Sequence, residues 1–448
     1  MAKRKYFGTD GVRDIANSGN MTIEFAMKLG QAYVKFLKDT FGKEQPKVVI
    51  GRDTRISGTM IQSALSAGMN SAGAYVYDIG VIPTPGVSYV LAHNDFDGGA
   101  VISASHNPAE YNGIKFLNNN GFKLTDDDEA SIEAAMLLSD DILLSRTVGT
   151  TEYAPEYSDK YLYSLKELFN AVSSTKKKIV VDAANGAASA YVDAIYSVLE
   201  GDVTLIGNRP DGLNINRAAG VTHMETLTAE TCKAGADLGI AYDGDADRIL
   251  MCDSRGRVID GDIMLWVISR WMKKHDKLGA GVVATVMSNM VLEDLSEEEG
   301  IKVFRCGVGD RYVLDKMRET GALLGGEQSG HIIALDHANT GDGISSGILF
   351  LRAIEDLNED ITTIVDRFDR YPQILTNVIV TDKDVVLSSP ELAEATAKAE
   401  RMLEGKGRML LRPSGTEPMI RIFVESRDKE LLQLVASMLE ETINNLIK

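Results

Sequence analysis

Cysteine is scarce in this chain: Cys232, Cys252 and Cys306 are the three in 448 residues. Their number is odd and no Cys-x-x-Cys spacing occurs, so neither a disulfide framework nor a zinc site is indicated. Long apolar runs are also missing. No stretch approaches the ~18 to 20 residues of a membrane span, and the basic start Met1-Ala-Lys-Arg-Lys-Tyr-Phe7 has no apolar segment behind it. A cytoplasmic location is therefore expected. Positive charge is in deficit, with 47 Lys and Arg against 65 Asp and Glu, a net −18, which argues against nucleic acid and against an anionic membrane as partner. Neither a Walker A sequence nor a G-x-G-x-x-G fingerprint is present, so a nucleotide is not the indicated ligand.

What remains is a soluble globular composition, 44% apolar and 25% charged, in a chain long enough for three or four domains. Three short apolar runs, Val48-Val-Ile50, Ile179-Val-Val-Asp182 and Val282-Val-Ala-Thr-Val286, each lead through a turn toward a helical pattern. That recurrence predicts three α/β units. Helices are expected at 22–38, at 58–72 with Ser57 as N-cap, and over 155–177. Lys176-Lys-Lys178 reads as a solvated linker. After Tyr371-Pro372, a candidate hinge, the pattern becomes strand (375–380), helix (390–403), strands (409–411 and 420–425) and helix (429–447), a small α+β domain.

Two motifs carry the chemistry. In Asp243-Gly-Asp-Ala-Asp-Arg248 the small residues let the backbone curl and converge Asp243, Asp245 and Asp247 on one point. Three carboxylates that close need a cation, and all-oxygen ligation with part of the shell open favours Mg²⁺. An EF-hand is excluded, since its sixth position would be Arg248 and its twelfth Ser254. The second motif is Ile102-Ser-Ala-Ser-His-Asn-Pro108. Ser105 needs a base, a metal or prior covalent loading to act, and adjacent His106 is poorly placed to be its base. Gly343-Ile-Ser-Ser-Gly347 matches the hydrolase elbow, but the last histidine, His337, precedes it, so an ordinary helix start is expected. Ser105 is therefore read as a phosphate carrier held against the metal.

Two further loops suit a phosphorylated sugar. Gly325-Gly-Glu-Gln-Ser-Gly-His331 offers Glu327, Gln328 and Ser329 for vicinal hydroxyls. Arg412-Pro-Ser-Gly-Thr-Glu-Pro418, with Arg421 beyond it, has the make-up of a phosphate cradle: backbone N–H groups at Ser414, Gly415 and Thr416, two hydroxyls and guanidinium forks. Local positive charge for an anionic substrate can come from Arg13, Arg52, Arg55, Lys115, Arg248, Arg311, Arg412 and Arg421.

In this order, and with Phe7-Gly-Thr-Asp-Gly-Val-Arg13 at the start, the four loops resemble those of the α-D-phosphohexomutases over essentially the whole chain. The resemblance implies three similar α/β domains with mixed sheets and a smaller α+β C-terminal domain in a heart-shaped arrangement. With the composition shifts it places them at 1–155 (phosphoserine loop), 156–258 (metal loop), 259–370 (sugar-binding loop) and 371–448 (phosphate-binding). It implies a phosphoserine at Ser105, itself a metal ligand beside Asp243, Asp245 and Asp247, Mg²⁺ as cofactor, and glucosamine or glucose 1,6-bisphosphate as intermediate and activator. Arg13, His106, Lys115, Arg248 and His331 join Ser105 as catalytic candidates; Glu327, Gln328, Ser329, Arg412, Ser414, Gly415, Thr416 and Arg421 are the substrate-binding ones. Ser103, where the family often has Thr, and Gln328 resemble the branch that interconverts glucosamine 6- and 1-phosphates for UDP-N-acetylglucosamine and cell-wall synthesis. Glucose and mannose phosphates are the alternative substrates, and a sugar-phosphate phosphatase the more distant reading. Asp14 departs from the family's usual Gly after Val-Arg. The partner expected is a small sugar phosphate; a homodimer is left open.

Overall fold

The computed structural model describes residues 4–8, 10–170, 172, 175–414 and 417–447, with backbone alone at 140 and 141. It divides into two compact units, Met1–Ser288 with Ser296–Arg367, and Asn289–Leu295 with Phe368–Lys448.

The first unit holds three mixed sheets. One runs in the order Val12–Ile15, Tyr111–Asn118, Gly98–Ile102, Lys47–Arg52, Tyr75–Val81, Thr151–Tyr153. The next runs Val258–Ile259, Ile249–Asp253, Leu238–Tyr242, Ile179–Asp182, Val203–Ile206, and the third Val303–Cys306, Val282–Thr285, Leu324–Gly326, Ile332–Ala334. In each, buried parallel strands such as Val48–Ile50, Ile179–Asp182 and Val282–Thr285 form the middle, and their unbroken apolar runs reflect cover on both faces. The last parallel strand then turns back on an antiparallel neighbour. Ile102 lies opposite Ile114, Tyr242 opposite Ile249, and Gly326 opposite Ile332.

Helices cover these sheets. Thr22 caps Ile23–Phe41 by accepting from Phe25 N–H, Asp260 caps Gly261–Lys274, and Asp342 caps Gly343–Leu357 through Ile344 and Ser345 N–H, which satisfies amides that the helix itself leaves open. Gly343–Leu357 contains the G-x-S-x-G match and is the helix start expected of it. The helix Gly58–Ser71 forms as read, but Ser57 gives it no side-chain cap; its hydroxyl accepts from Asn112 Nδ2 at 2.9 Å instead. The linker Lys176-Lys-Lys178 carries no helix or strand.

The second unit is a three-stranded antiparallel sheet, Gln373–Ile379, Met419–Ser426, Gly407–Pro413, with the helices Pro390–Leu403 and Lys429–Leu446 on its apolar face. Ile420, Ile422 and Val424 point into that core, as the period of two requires. Among the described residues, no helix of the chain is long and apolar enough to cross a membrane.

Candidate active site

The loop 103–110 brings Ser105 to the end of the first sheet. Ser105 is buried and left-handed, φ 49°, a conformation that costs a non-glycine residue roughly 1–3 kcal/mol unless its surroundings impose it. Here they do. Its N–H donates to Ser103 Oγ at 2.9 Å, and its carbonyl accepts from Arg55 Nη2 at 2.9 Å and from Asn216 Nδ2 at 2.8 Å. Ser103 Oγ in turn donates to Asp53 at 2.7 Å. Ser103 therefore organises the loop from within.

The loop 243–248 is the hairpin between Leu238–Tyr242 and Ile249–Asp253. All three aspartates are buried, and one carboxylate oxygen from each lies within 4.8 Å of the others. Ser105 Oγ donates to Asp243 Oδ2 at 2.7 Å. Asp245 Oδ2 accepts from Thr84 Oγ1 at 2.6 Å and from Lys115 Nζ at 2.8 Å. Asp245 Oδ1 and Asp247 Oδ1 are buried without a hydrogen-bond partner. Oxygens stripped of water and given no donor are what a hard cation satisfies, so the donor set fits a divalent metal. Burial, reinforced by Asp247 and Asp245, lifts the Asp243 carboxyl well above the usual range; a cation would oppose that. Gly244 packs so tightly that a Cβ there would lie 2.5 Å from the Ser105 carbonyl oxygen, which fixes the spacing of nucleophile and carboxylates.

Around this centre runs an alternating chain of charges. Lys115 Nζ lies 2.8 Å from Asp245, 2.9 Å from Asp10 and 3.7 Å from Asp247. Burial disfavours its ammonium, but those carboxylates outweigh it and hold the pKa above the ordinary lysine range. In this arrangement Lys115 is a cation that stabilises charge. Asp10 also pairs with Arg13 and with Lys123, and Lys123 continues to Asp310. Asp310 Oδ2 stands 3.6 Å from His331 Nε2, which is itself 4.0 Å from Asp247. His106 Nδ1 comes within 3.2 Å of Ser105 Oγ, despite the sequence adjacency that counted against it, because the left-handed turn at Ser105 brings the two side chains together. Burial, then Arg248 and Arg13, lowers the His106 pKa. Arg248 is partly buried over Asp247, Asp243 and Glu327.

In the hairpin 327–331, Glu327 Oε1 accepts from Gly309 N–H at 3.0 Å, Gln328 is half-buried and Ser329 exposed. Within the second unit, Arg412 and Arg421 lie directly opposite on paired strands. Like charges so placed repel, so the pair suits an anion. Ser414 is buried, and its hydroxyl accepts from Glu417 N–H at 3.3 Å. Gly415 and Thr416 lie outside the described residues.

Three of the basic residues read as anion-binding are committed elsewhere. Arg55 has no exposed side chain and spends its guanidinium on Asp53 and on the carbonyls of Ser105, Asn107, Pro108 and Tyr111. Arg52 donates to Gln62, and Arg311 pairs with Asp126. Asp14, the departure after Val-Arg, accepts from Asn20 N–H at 2.9 Å and so closes the turn that follows its strand. Thr84, Asn216, Asp10, Lys123 and Asp310 were missed. Asp10 stood within the quoted Phe7–Arg13 motif and Thr84 between two prolines; nothing local marked the others.

Family models for phosphoglucomutase/phosphomannomutase match consecutive stretches: alpha/beta/alpha domain I over residues 4–141, domain II over 159–256, domain III over 260–371 and the C-terminal domain over 375–442. The chain belongs to the phosphoglucomutase/phosphomannomutase family. Among its relatives, a phosphoglucosamine mutase of Desulforamulus reducens is 46% identical over 99% of this chain and 100% of its own length, and one of Bacillus subtilis is 42% identical over 98% of each. The fold also matches solved structures of the family. A Burkholderia thailandensis member superposes with a TM-score of 0.81 at 22% identity, covering 98% of this chain and 97% of the other. An Aspergillus fumigatus N-acetylphosphoglucosamine mutase, solved with GlcNAc-6P and magnesium, gives 0.70 at 16% over 100% and 96%.

Proposed function

We propose that this member of the family interconverts glucosamine 6-phosphate and glucosamine 1-phosphate through phospho-Ser105 and a 1,6-bisphosphate. The observation that carries the reading is Ser105 Oγ, 2.7 Å from Asp243 in a buried carboxylate triad with two unpartnered oxygens. The full-length similarity to phosphoglucosamine mutases supports the choice of sugar. In the first half-reaction the sugar O1 attacks the Ser105 phosphoryl group, its P–Oγ bond breaks, and the hydroxyl proton passes to a base. The bisphosphate turns, Ser105 Oγ attacks the 6-phosphate, the P–O6 bond breaks, and the proton returns to the departing O6. The phosphoserine is restored and the 1-phosphate leaves. A Mg²⁺ held by Asp243, Asp245, Asp247 and the phosphoserine would neutralise charge on the transferring group.

Lys115 and Arg248 supply fixed positive charge at the reacting end. Glu327 and Gln328 suit the sugar hydroxyls and amine, and Arg412 and Arg421 the phosphate that is not reacting. His106, 3.2 Å from Ser105 Oγ, and His331, 3.6 Å from Asp310, are the remaining groups for proton transfer; Arg13 stays a cation. The test is kcat/KM on the 6-phosphates of glucosamine, N-acetylglucosamine, glucose and mannose, with peptide mass spectrometry of Ser105. Glucosamine 6-phosphate should lead and Ser105 should carry one phosphate. A lead for glucose or mannose moves the chain to phosphoglucomutase or phosphomannomutase activity, and active enzyme phosphorylated only elsewhere overturns the carrier role.

A further inference from the structure

Asp245 uses its two carboxylate oxygens in different ways. Oδ2 accepts from Thr84 Oγ1 at 2.6 Å and Lys115 Nζ at 2.8 Å, while Oδ1 is buried and unpartnered. Thr84 is wholly buried at the start of the helix Thr84–Ala92, set between Pro83 and Pro85. Its backbone N–H also donates to the Asp245 carbonyl at 3.0 Å. Main chain and hydroxyl thus grip the same aspartate, one fixing its backbone and the other its carboxylate.

Resting on the metal reading above, we infer that Thr84 is a positioning residue for the metal centre: its hydroxyl pins Asp245 Oδ2 and so turns Oδ1 toward the point where Asp243 and Asp247 converge. Lys115 alone cannot do this, because an ammonium is a point charge on a flexible stem shared with Asp10 and Asp247. A second donor, fixed at a helix start, sets the plane of the carboxylate. Ligand carboxylates held in this way bind metal more tightly, and loss of such a partner typically weakens affinity about 10- to 100-fold. A hydroxyl that merely satisfied a buried carboxylate would change folding stability and leave metal affinity where it was.

The experiment is Mn²⁺ titration of the purified full chain without sugar phosphate, followed by electron paramagnetic resonance, alongside thermal melts. Thr84→Val keeps shape and the backbone N–H and removes the hydroxyl; it should bind Mn²⁺ about 10- to 100-fold more weakly. Thr84→Ser keeps the hydroxyl and should stay within about threefold of wild type on the same reasoning. Thr84→Cys, a weak donor of similar size, should fall between them and replaces the valine variant if that does not fold. Valine or cysteine affinity equal to wild type, or a serine variant as weak as valine, overturns this inference alone. Wild-type protein that takes up no Mn²⁺ overturns the metal centre and the role of Thr84 together, whichever sugar the enzyme prefers.

Discussion

Arg55→Lys separates a residue that binds substrate from one that shapes the nucleophile loop. The guanidinium serves five acceptors, Asp53 Oδ2 and the carbonyls of Ser105, Asn107, Pro108 and Tyr111, and neither it nor Asp53 has exposed side-chain surface. A lysine keeps the charge but has three donors on one nitrogen, so at least two of those charge-assisted hydrogen bonds are lost, although Asp53, Asn107 and Pro108 keep a second donor each. At about 1.5–3 kcal/mol per lost bond to a charged group, the loss is about 3–6 kcal/mol. Asn216 still holds the Ser105 carbonyl, so the chain should fold. Its melting temperature should drop by several degrees. The strained φ of Ser105 should relax, and kcat should fall tenfold or more, equivalent to at least ~1.4 kcal/mol, with KM for the sugar phosphate nearly unchanged. A variant that melts with wild type and shows a raised KM at normal kcat would refute this and return Arg55 to the anion-binding role that its charge first suggested.

Gly244→Ala should cut turnover by tenfold or more, about 1.4 kcal/mol, because its Cβ would meet the Ser105 carbonyl oxygen at 2.5 Å; normal turnover would show that the two loops can part freely. Asp245→Asn should weaken Mg²⁺ binding and turnover each by more than tenfold, over ~1.4 kcal/mol, and chelator-treated wild-type protein that keeps its activity would remove the metal role altogether. Asp342 is pushed up to about 6, from 3.8, by burial. Between those values the fold keeps a proton that the unfolded chain has released, so its contribution to stability is complete below about pH 4 and lost as pH passes about 6. Asp342→Asn should flatten that part of the stability curve relative to wild type, measured by denaturant melts at each pH; an unchanged slope would assign the dependence to other groups.

What the sequence disclosed was set by how local each signal is. Asp243, Asp245 and Asp247 are close in the chain, and small residues between them force convergence, so the triad could be read before any fold was known. The apolar pattern over 420–425 likewise predicts a strand, and Ile420, Ile422 and Val424 are its core-facing residues. Charge without direction misled: Arg55 has the composition of an anion ligand, and only the fold shows it turned inward. The same limit applies to Ser57, whose hydroxyl accepts from Asn112 far along the chain, and to His106, whose reach to Ser105 depends on one left-handed residue. Thr84, Asn216 and Asp310 act on partners far away in sequence, and no local pattern encodes those distances.

One regularity joins the loops of the first unit. In ordinary parallel α/β proteins ligands gather at the carboxyl ends of the strands, and a helix follows each. The carboxyl ends are used: Gly98–Ile102, Leu238–Tyr242 and Leu324–Gly326 each run parallel to a central strand and deliver Ser105, the aspartates and Glu327 at their ends. The chain then returns as an antiparallel strand in place of a helix. Both ends of each loop are thereby held in a hydrogen-bonded ladder, which suits groups that must stay fixed while charge develops on a phosphoryl group. Like-charged groups such as the three aspartates repel and would splay an untethered turn. A loop clamped by strands on both sides can keep them together without ligand, so the electrostatic work of assembling the site is done during folding and need not be repeated in each catalytic cycle.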